Sequence, residues 1–563
     1  MTKRVVVASG YFNPLHYGHV SYLEKARDLG TSLIVIVNND FQAAKHRPGG
    51  MKLPARERVK LVRSLQCVDA AVEAIDDDES VAETLRLLHP DIFANGGGTK
   101  PTELEIKVCA QLGIQMVDGL GIQLLSLTPY TQHYDWGKPR NASIIAALTG
   151  QQSPEHDPQD DSKPFAELWM GDHPSGPARV ESPSNEKAMK KKSPICRAAS
   201  LQEVMHRSPS MLGQLSESKQ LPFLLKVLSI HKALSIQAHP DKQRAAKLHA
   251  EKPDIYKDAN HKPEIAIALS DDFQALCGFR AVTEILEMLQ HVPELATLMG
   301  GAVQQLEAAA GDEEKESEAL RQGYSNVMHS SEDELKNQVQ ALHDRAKMVV
   351  MKDDLHKKIK DCFRLVCMLY EQYGVDVGIF SVFFMNYVCM GVGECLYMAQ
   401  NVPHAYISGD IVECMACSDN VVRGGLTPKF KDVDVLCEML NYKGGPPATL
   451  EPVELEKGIL LYSDPDIQEF QVTHLSIPEG GSQRRLFSSE GPAMALNLCG
   501  EGTVTISGET QEVTPGKVFM LAAGTEPELR AKKEMQIFVA CCPPEYFRSP
   551  CPSPSPTWTI RKW

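Results

Sequence analysis

The apolar positions of this chain change period several times, and each change marks an element. Residues 4–9, RVVVAS, and 32–37, SLIVIV, are continuous apolar runs of strand length. Between them, residues 20–29 carry apolar side chains at helical spacing and stop at Gly30. Strand, helix and strand in that order predict a β-α-β unit of a parallel sheet, which binds ligands outside the carboxyl ends of its strands. Residues 91–94 predict another such strand, with the loop NGGGTK after it. Further on, residues 221–230 read as a buried strand holding one cation, Lys226. Residues 233–238 read as extended and 243–251 as helical, and Glu264 heads a strand whose other residues are apolar. Residues 280–373 switch to amphipathic helical spacing, with Ser331 and Glu334 placed for a capping box. Strands are expected again at 378–384 and 403–410. The spaced Gly and Pro turns of residues 451–542 suit a jelly-roll barrel.

Composition narrows the class. A chain of 563 residues exceeds one core, and 43% hydrophobic with 23% charged residues is ordinary globular content without a bilayer-length apolar run. The start lacks the apolar core of a secretion signal, and the 15 cysteines form no regular framework, so a cytoplasmic protein with reduced thiols is expected. Cys414 and Cys417 make a C-x-x-C without a second pair, and read as packing residues. A net charge of −15 does not favour nucleic acid as a partner, and nothing in the chain calls for a membrane.

Two stretches carry chemistry. In LSIQAHPDK, Gln237 and His239 stand two apart in an extended run, so both side chains are expected on one face at a strand end. That spacing suits metal ligands, and it also suits polar edge residues. An inward Glu264 needs a partner, which a metal would provide, and a buried Lys226 needs water or an anion such as a sugar phosphate. The second stretch is the first turn, His16-Tyr-Gly-His19, beside a helix N-terminus. Two imidazoles there suit the phosphates of a nucleoside triphosphate, and Gly18 allows close backbone approach. Lys45 and the loop glycines Gly96 and Gly97 are further candidate nucleotide contacts.

GYFNPLHYGHVSYLEKARDLG resembles the HxGH signature of the cytidylyltransferase-like nucleotidyltransferases across strand, turn and helix. The resemblance implies a Rossmann-like domain over residues 1–121 that takes a nucleotide such as CTP, with Mg2+. The final Ser/Thr-rich turn and helix usual in that family are missing before residue 122.

AELWMG, HPSG, SIQAHPDK, HKPE, PHAYISGD and ECMACSDNVVRGGLTPK, in that order, resemble the type I mannose-6-phosphate isomerases. The resemblance implies a cupin fold over residues 122–545 and one Zn2+ per chain on Gln237, His239, Glu264 and His404. It implies interconversion of mannose 6-phosphate and fructose 6-phosphate through a cis-enediol, serving GDP-mannose synthesis. Arg423 falls at the reacting centre, with Glu413, Asp419, Lys429 and His261 as candidates for proton transfer or charge stabilisation. Ser235, Lys226, Lys262 and Lys429 are candidate phosphate contacts, while Trp136, Glu167 and Tyr406 shape the pocket. One departure is Gly424, where the family has Ala.

The expected architecture is therefore multidomain. It comprises an α/β nucleotidyltransferase-like domain (1–121), a β-rich cupin catalytic domain (122–275 and 376–445) with a helical insertion (276–375), a C-terminal cupin-like β domain (446–545) and a flexible tail (546–563). A bifunctional enzyme and a non-enzymatic sugar-phosphate-binding cupin are the alternatives.

Overall fold

The computed structural model describes residues 4–15, 17–46, 53–96, 101–118, 120–150, 163–181, 199–351, 356–484, 490–506 and 509–548. His16, Gly97 and the expected tail from residue 549 lie outside them. The chain forms two compact units, one of residues 1–129, 177–221 and 473–550, the other of residues 130–176 and 222–472.

The first unit holds a five-stranded parallel sheet in the order Ala70–Glu73, Ser32–Val37, Val5–Gly10, Ile92–Ala94, Gln115–Val117. The expected strands and the helix Tyr17–Asp28 are present, and Val6, Leu33, Val35 and Leu23 are fully buried on one face of the sheet. The order reverses between Val5–Gly10 and Ile92–Ala94, so the switch-point crevice opens where the first turn and the Asn95–Gly96 loop begin. After Gln115–Val117 the chain folds back: Leu120 and Gly121 donate from their backbone amides to the carbonyls of Asn95 and Gly96, and the strand Leu124–Thr128 follows. Among the described residues no helix intervenes. Leu124–Thr128 joins the antiparallel strands Val518–Leu521, Ala493–Cys499 and Met535–Cys541, and a second sheet pairs Gly502–Ile506 with Glu509–Val513 and Glu528–Ala531. Two antiparallel sheets are the expected β-rich end of the chain.

In the second unit the 13-residue strand His404–Ala416 pairs antiparallel with Phe223–Ile230, Ile236–Ala238, Glu264–Ala268 and Phe273–Phe279. Phe223–Ile230 is buried at every residue, as its apolar run predicts. Six helices from Val282–His291 to Lys357–Tyr373 pack around Leu295, Leu306, Leu320, Leu342 and Phe363. Ser331 caps Glu332–Val350 by accepting from the Glu334 amide.

Two expectations need correction. Residues 378–384 are not a strand: Val377–Phe380 is a 3-10 helix and Ser381–Phe384 one helical turn. The run is apolar at nearly every position, so its period cannot separate strand from buried helix, and Asp376 caps its start. The extended run expected over 233–238 is a strand only over Ile236–Ala238, because Ala233 is tied to Gln372 and Tyr373 instead.

Gly424 lies in the strand Val422–Gly425, where a β-carbon would come 2.7 Å from the Leu436 side-chain tip. At Gly425 a β-carbon would come 2.6 Å from the backbone of Gly378, which has no freedom to turn away. Gly424→Ala should therefore cost about 1 kcal/mol and Gly425→Ala about 3 kcal/mol, the range of overpacked interiors. Urea unfolding of the two variants checks the order.

Candidate metal centre and cavity

His404 opens the long strand, Glu264 opens Glu264–Ala268, and His239 follows Ile236–Ala238 directly. Pairing of these strands brings the three together at one end. The Nε2 atoms of His239 and His404 each stand 3.4 Å from Glu264 Oε2. All three residues are buried, and none of these three atoms has a hydrogen-bond partner. His239 Nδ1 donates to the Asn420 carbonyl (2.7 Å) and His404 Nδ1 to the Val402 carbonyl (3.0 Å), so each Nε2 presents a lone pair. Burial lowers the His239 imidazole to about 4, which keeps it neutral near pH 7. Glu264 is held well below the usual carboxylate range: burial opposes its charge, but Lys262 at 2.9 Å and the histidines outweigh it. Three electron-rich atoms thus face one another without a shared proton. A cation fits between them, and two imidazoles with a carboxylate are a donor set that zinc accepts. Gln237 lies directly across from His404 in register and lines the adjoining cavity.

That cavity, about 780 Å3, is lined by Trp136, Glu167, Lys226, Ser235, Gln237, Lys262, Glu264, Tyr406, Glu413, Asp419, Arg423 and Lys429. The sequence scattered these residues over nearly 300 positions. Lys226 is buried and meets carboxylates of the protein itself, Glu413 at 2.9 Å and Glu167 at 3.5 Å, which supply the anionic partner its apolar setting calls for. Burial works against its charge, yet Glu413 and Glu167 raise it. Burial raises the Glu413 carboxyl, Lys226 opposes that, and the neighbouring Glu264 and Glu167 charges add to it. Trp169 Nε1 donates to Glu167 at 2.6 Å. Tyr406 is buried with an unpartnered hydroxyl, and burial, then Glu413, pushes that phenol well above its ordinary value.

Burial would raise Asp419, but His173 at 3.4 Å, with Lys262 and Lys226 beyond, lowers it. His173 Nδ1 accepts from the Ser175 amide, so its Nε2 carries the proton that faces Asp419. The HPSG motif was visible in the sequence, but the role of its histidine needed the distance. Among the described residues the side chains of Arg423 and Lys429 have no hydrogen bond or ion pair, and Lys232 has only the Tyr373 ring at 4.3 Å. His261 stands apart: it does not line the cavity, and its Nε2 lies 2.7 Å from Glu469, a residue that no sequence pattern had marked.

In the parallel-sheet domain, Gly18 and His19 lie in the first helix and Gly96 follows the fourth strand of the chain. His19 packs edge-on against Phe12. Lys45 is exposed and pairs with Glu79 at 3.2 Å.

Comparison with known proteins agrees with this arrangement. Residues 124–282 match the family "Phosphomannose isomerase type I, catalytic domain", residues 298–385 its "helical insertion domain", and residues 7–108 the family "Cytidylyltransferase-like". Mannose-6-phosphate isomerase 2 of Arabidopsis thaliana is 39% identical over 441 residues, 76% of this chain and 96% of that protein. Mannose-6-phosphate isomerase of Homo sapiens is 37% identical over 438 residues, 75% of this chain and 99% of that protein. A crystal structure of a phosphomannose isomerase mutant from Salmonella typhimurium superposes with a TM-score of 0.61 at 25% identity, covering 74% of this chain and 99% of that one. Fold and cavity together thus define a cupin-type sugar-phosphate isomerase. The chain belongs to the type I phosphomannose isomerase family, joined behind a cytidylyltransferase-like domain.

The Glu469 carboxyl is lowered by His261 and Lys242 against the opposing effect of burial. Its folded value lies below its unfolded value, so its contribution is complete above the unfolded value and is lost as pH falls through the folded one. Glu469→Gln should be less stable than the parent at pH 7, with the gap closing between about pH 5 and pH 3. Urea unfolding across that range checks it.

Proposed function

We propose that the second unit interconverts mannose 6-phosphate and fructose 6-phosphate, with one zinc ion held by Gln237, His239, Glu264 and His404. The observation that carries the metal is the convergence of His239 Nε2, His404 Nε2 and Glu264 Oε2, all buried and unpartnered. Zinc bound there supplies a Lewis acid for negative charge developing on substrate oxygens. The chain's own groups do the rest. Arg423 and Lys429 lack counter-ions among the described residues and take the substrate's anionic groups, with Ser235 as a hydroxyl donor beside them. Lys226 and Lys262 are already paired to carboxylates, so their part is to hold Glu413 and Glu264 in place. Glu413 is the carboxylate suited to proton transfer, because burial raises it toward the working pH. It takes the C2 proton of the aldose, leaving a cis-enediolate whose charge is shared by O1 and O2; passage of the O2 hydroxyl proton to O1 through the cis-enediol and return of the proton from Glu413 to C1 give the ketose. Trp136, Glu167 and Tyr406 wall the site. GDP-mannose synthesis would draw on the mannose 6-phosphate formed in the reverse direction, and a cytoplasmic setting suits reduced cysteines; no helix among the described residues is long and apolar enough to cross a membrane.

In a coupled mannose 6-phosphate assay the full chain should turn over and contain close to one zinc per chain. His239→Ala should lose both the metal and at least about 100-fold in kcat, the scale of removing one charge-stabilising element. Full turnover in a metal-free variant would sink this reading.

A second activity is suggested for the parallel-sheet domain, because the helix that carries His19 and the Asn95–Gly96 loop follow the two strands that flank the switch point. A nucleoside triphosphate, CTP by family likeness, is its proposed ligand with Mg2+. Calorimetric titration of the full chain with CTP and Mg2+ should show binding, weakened about tenfold or more in His19→Ala, the scale of one charge-assisted contact. Equal binding by parent and variant counts against the site.

A further inference from the structure

The side chains of Arg423 and Lys429 have no partner among the described residues, so only their backbone aims them into the cavity. That backbone is the strand Val422–Gly425 and the turn Leu426–Lys429. On one edge the strand pairs with Ile236–Ala238, where Arg423 stands opposite Gln237. On the other it lies against the 3-10 helix Val377–Phe380, so closely that neither Gly425 nor Gly378 has room for a β-carbon. Leu426 then takes a left-handed conformation, φ +52°, which is strained for a residue with a β-carbon and persists only where its surroundings impose it.

One carboxylate imposes it. Asp376 Oδ1 accepts from the Leu426 amide and from the Gly378 amide, both at 2.7 Å, and Oδ2 faces the Thr427 amide at 3.5 Å. Lys431 Nζ is 4.0 Å away. Asp376 is buried, lines the cavity, and sits where the helical insertion returns to the barrel. The residues just before it fix a second loop in the same way. Gln372 accepts from the Ala233 amide and Tyr373 donates to the Ala233 carbonyl, where the chain leads on to Ser235 and Gln237.

We propose that Asp376 is a positioning residue of the isomerase site: it locks the Leu426 turn and thereby aims Arg423 and Lys429 at the substrate. The helical insertion thus serves the reaction through its last residues. This rests on the isomerase reading above. Asn at 376 keeps a carbonyl oxygen able to accept both amides and loses only the charge, whereas Glu keeps the charge and moves the oxygens by a methylene.

The test uses the full chain with its metal. Asp376→Ala and Asp376→Glu should each lose about 10- to 100-fold in kcat/KM, the scale of an ångström misplacement, and Asp376→Asn should recover most of it. Zinc per chain should stay at the parent level, and inorganic phosphate should inhibit the Ala and Glu variants more weakly than the parent. If Asp376→Ala does not fold, the Asn and Glu variants decide alone. The proposal is overturned if Glu retains activity while Asn loses it, if none of the variants differs from the parent, or if the loss follows zinc content. A parent chain without isomerase activity overturns the family reading first, which separates the two failures.

Discussion

The isomerase site depends on one strand changing its side-chain parity. In a regular strand, residues of one parity face one side. His404 and Tyr406 face the site on even positions, while Glu413 and Met415 line the same cavity on odd ones. A bulge lets both happen. Opposite Gln274 and Ala275, the long strand runs through Tyr406, Ile407 and Ser408, one residue more than its partner. Gly409 follows at φ +108°, with its α-carbon so near Phe273 that a side chain would collide at 2.6 Å. Without the bulge, either the metal histidine or the Lys226–Glu413 pair would face away.

The same strand explains why the buried charges are tolerable. Lys226 is the cross-strand neighbour of Glu413, and Glu413 of Ala266, so the ion pair is fixed by backbone register before any side chain is ordered. Asp410 meets the hydroxyl of its cross-strand neighbour Ser229 at 2.6 Å, and Lys138 reaches it at 2.7 Å. Breaking a buried pair by removing one partner typically costs about 3–5 kcal/mol. Two pairing partners leave Glu413 little freedom to turn, which would suit the proton transfer proposed for it.

What the sequence disclosed follows from how far each signal reaches. The parallel sheet was legible because a β-α-β unit is written within about 35 residues, in runs such as SLIVIV closed by glycines. The convergence of His239, Glu264 and His404 was legible only through likeness to a family, since no local rule links position 239 to 404. Lys226 shows the limit: its apolar surroundings announced a need for an anion, but that the anion is Glu413, 187 residues away, is a fact of register. Asp376 and Glu469 left no mark, because a lone carboxylate in a polar turn looks the same whether it faces water or holds two backbone amides. The 378–384 segment misled for the opposite reason, being so uniformly apolar that no period was present to read.

These pairings also sort the cations by what they can do for a substrate. Lys226, Lys262 and Lys138 each commit their charge to a carboxylate within 3 Å. Offering any of them to a phosphate would strip a buried Glu or Asp of its partner, a loss comparable to the gain. Among the described residues Arg423 and Lys429 have no such partner, and Arg423 is half-buried, where burial lowers its guanidinium without neutralising it. An unpaired, partly desolvated guanidinium gains more from an arriving dianion than an exposed lysine does, because less water shields it. In the proposed reaction, recognition of a doubly charged ligand would therefore fall to these two residues, and the turn that carries them would have to be held by something other than their own side chains.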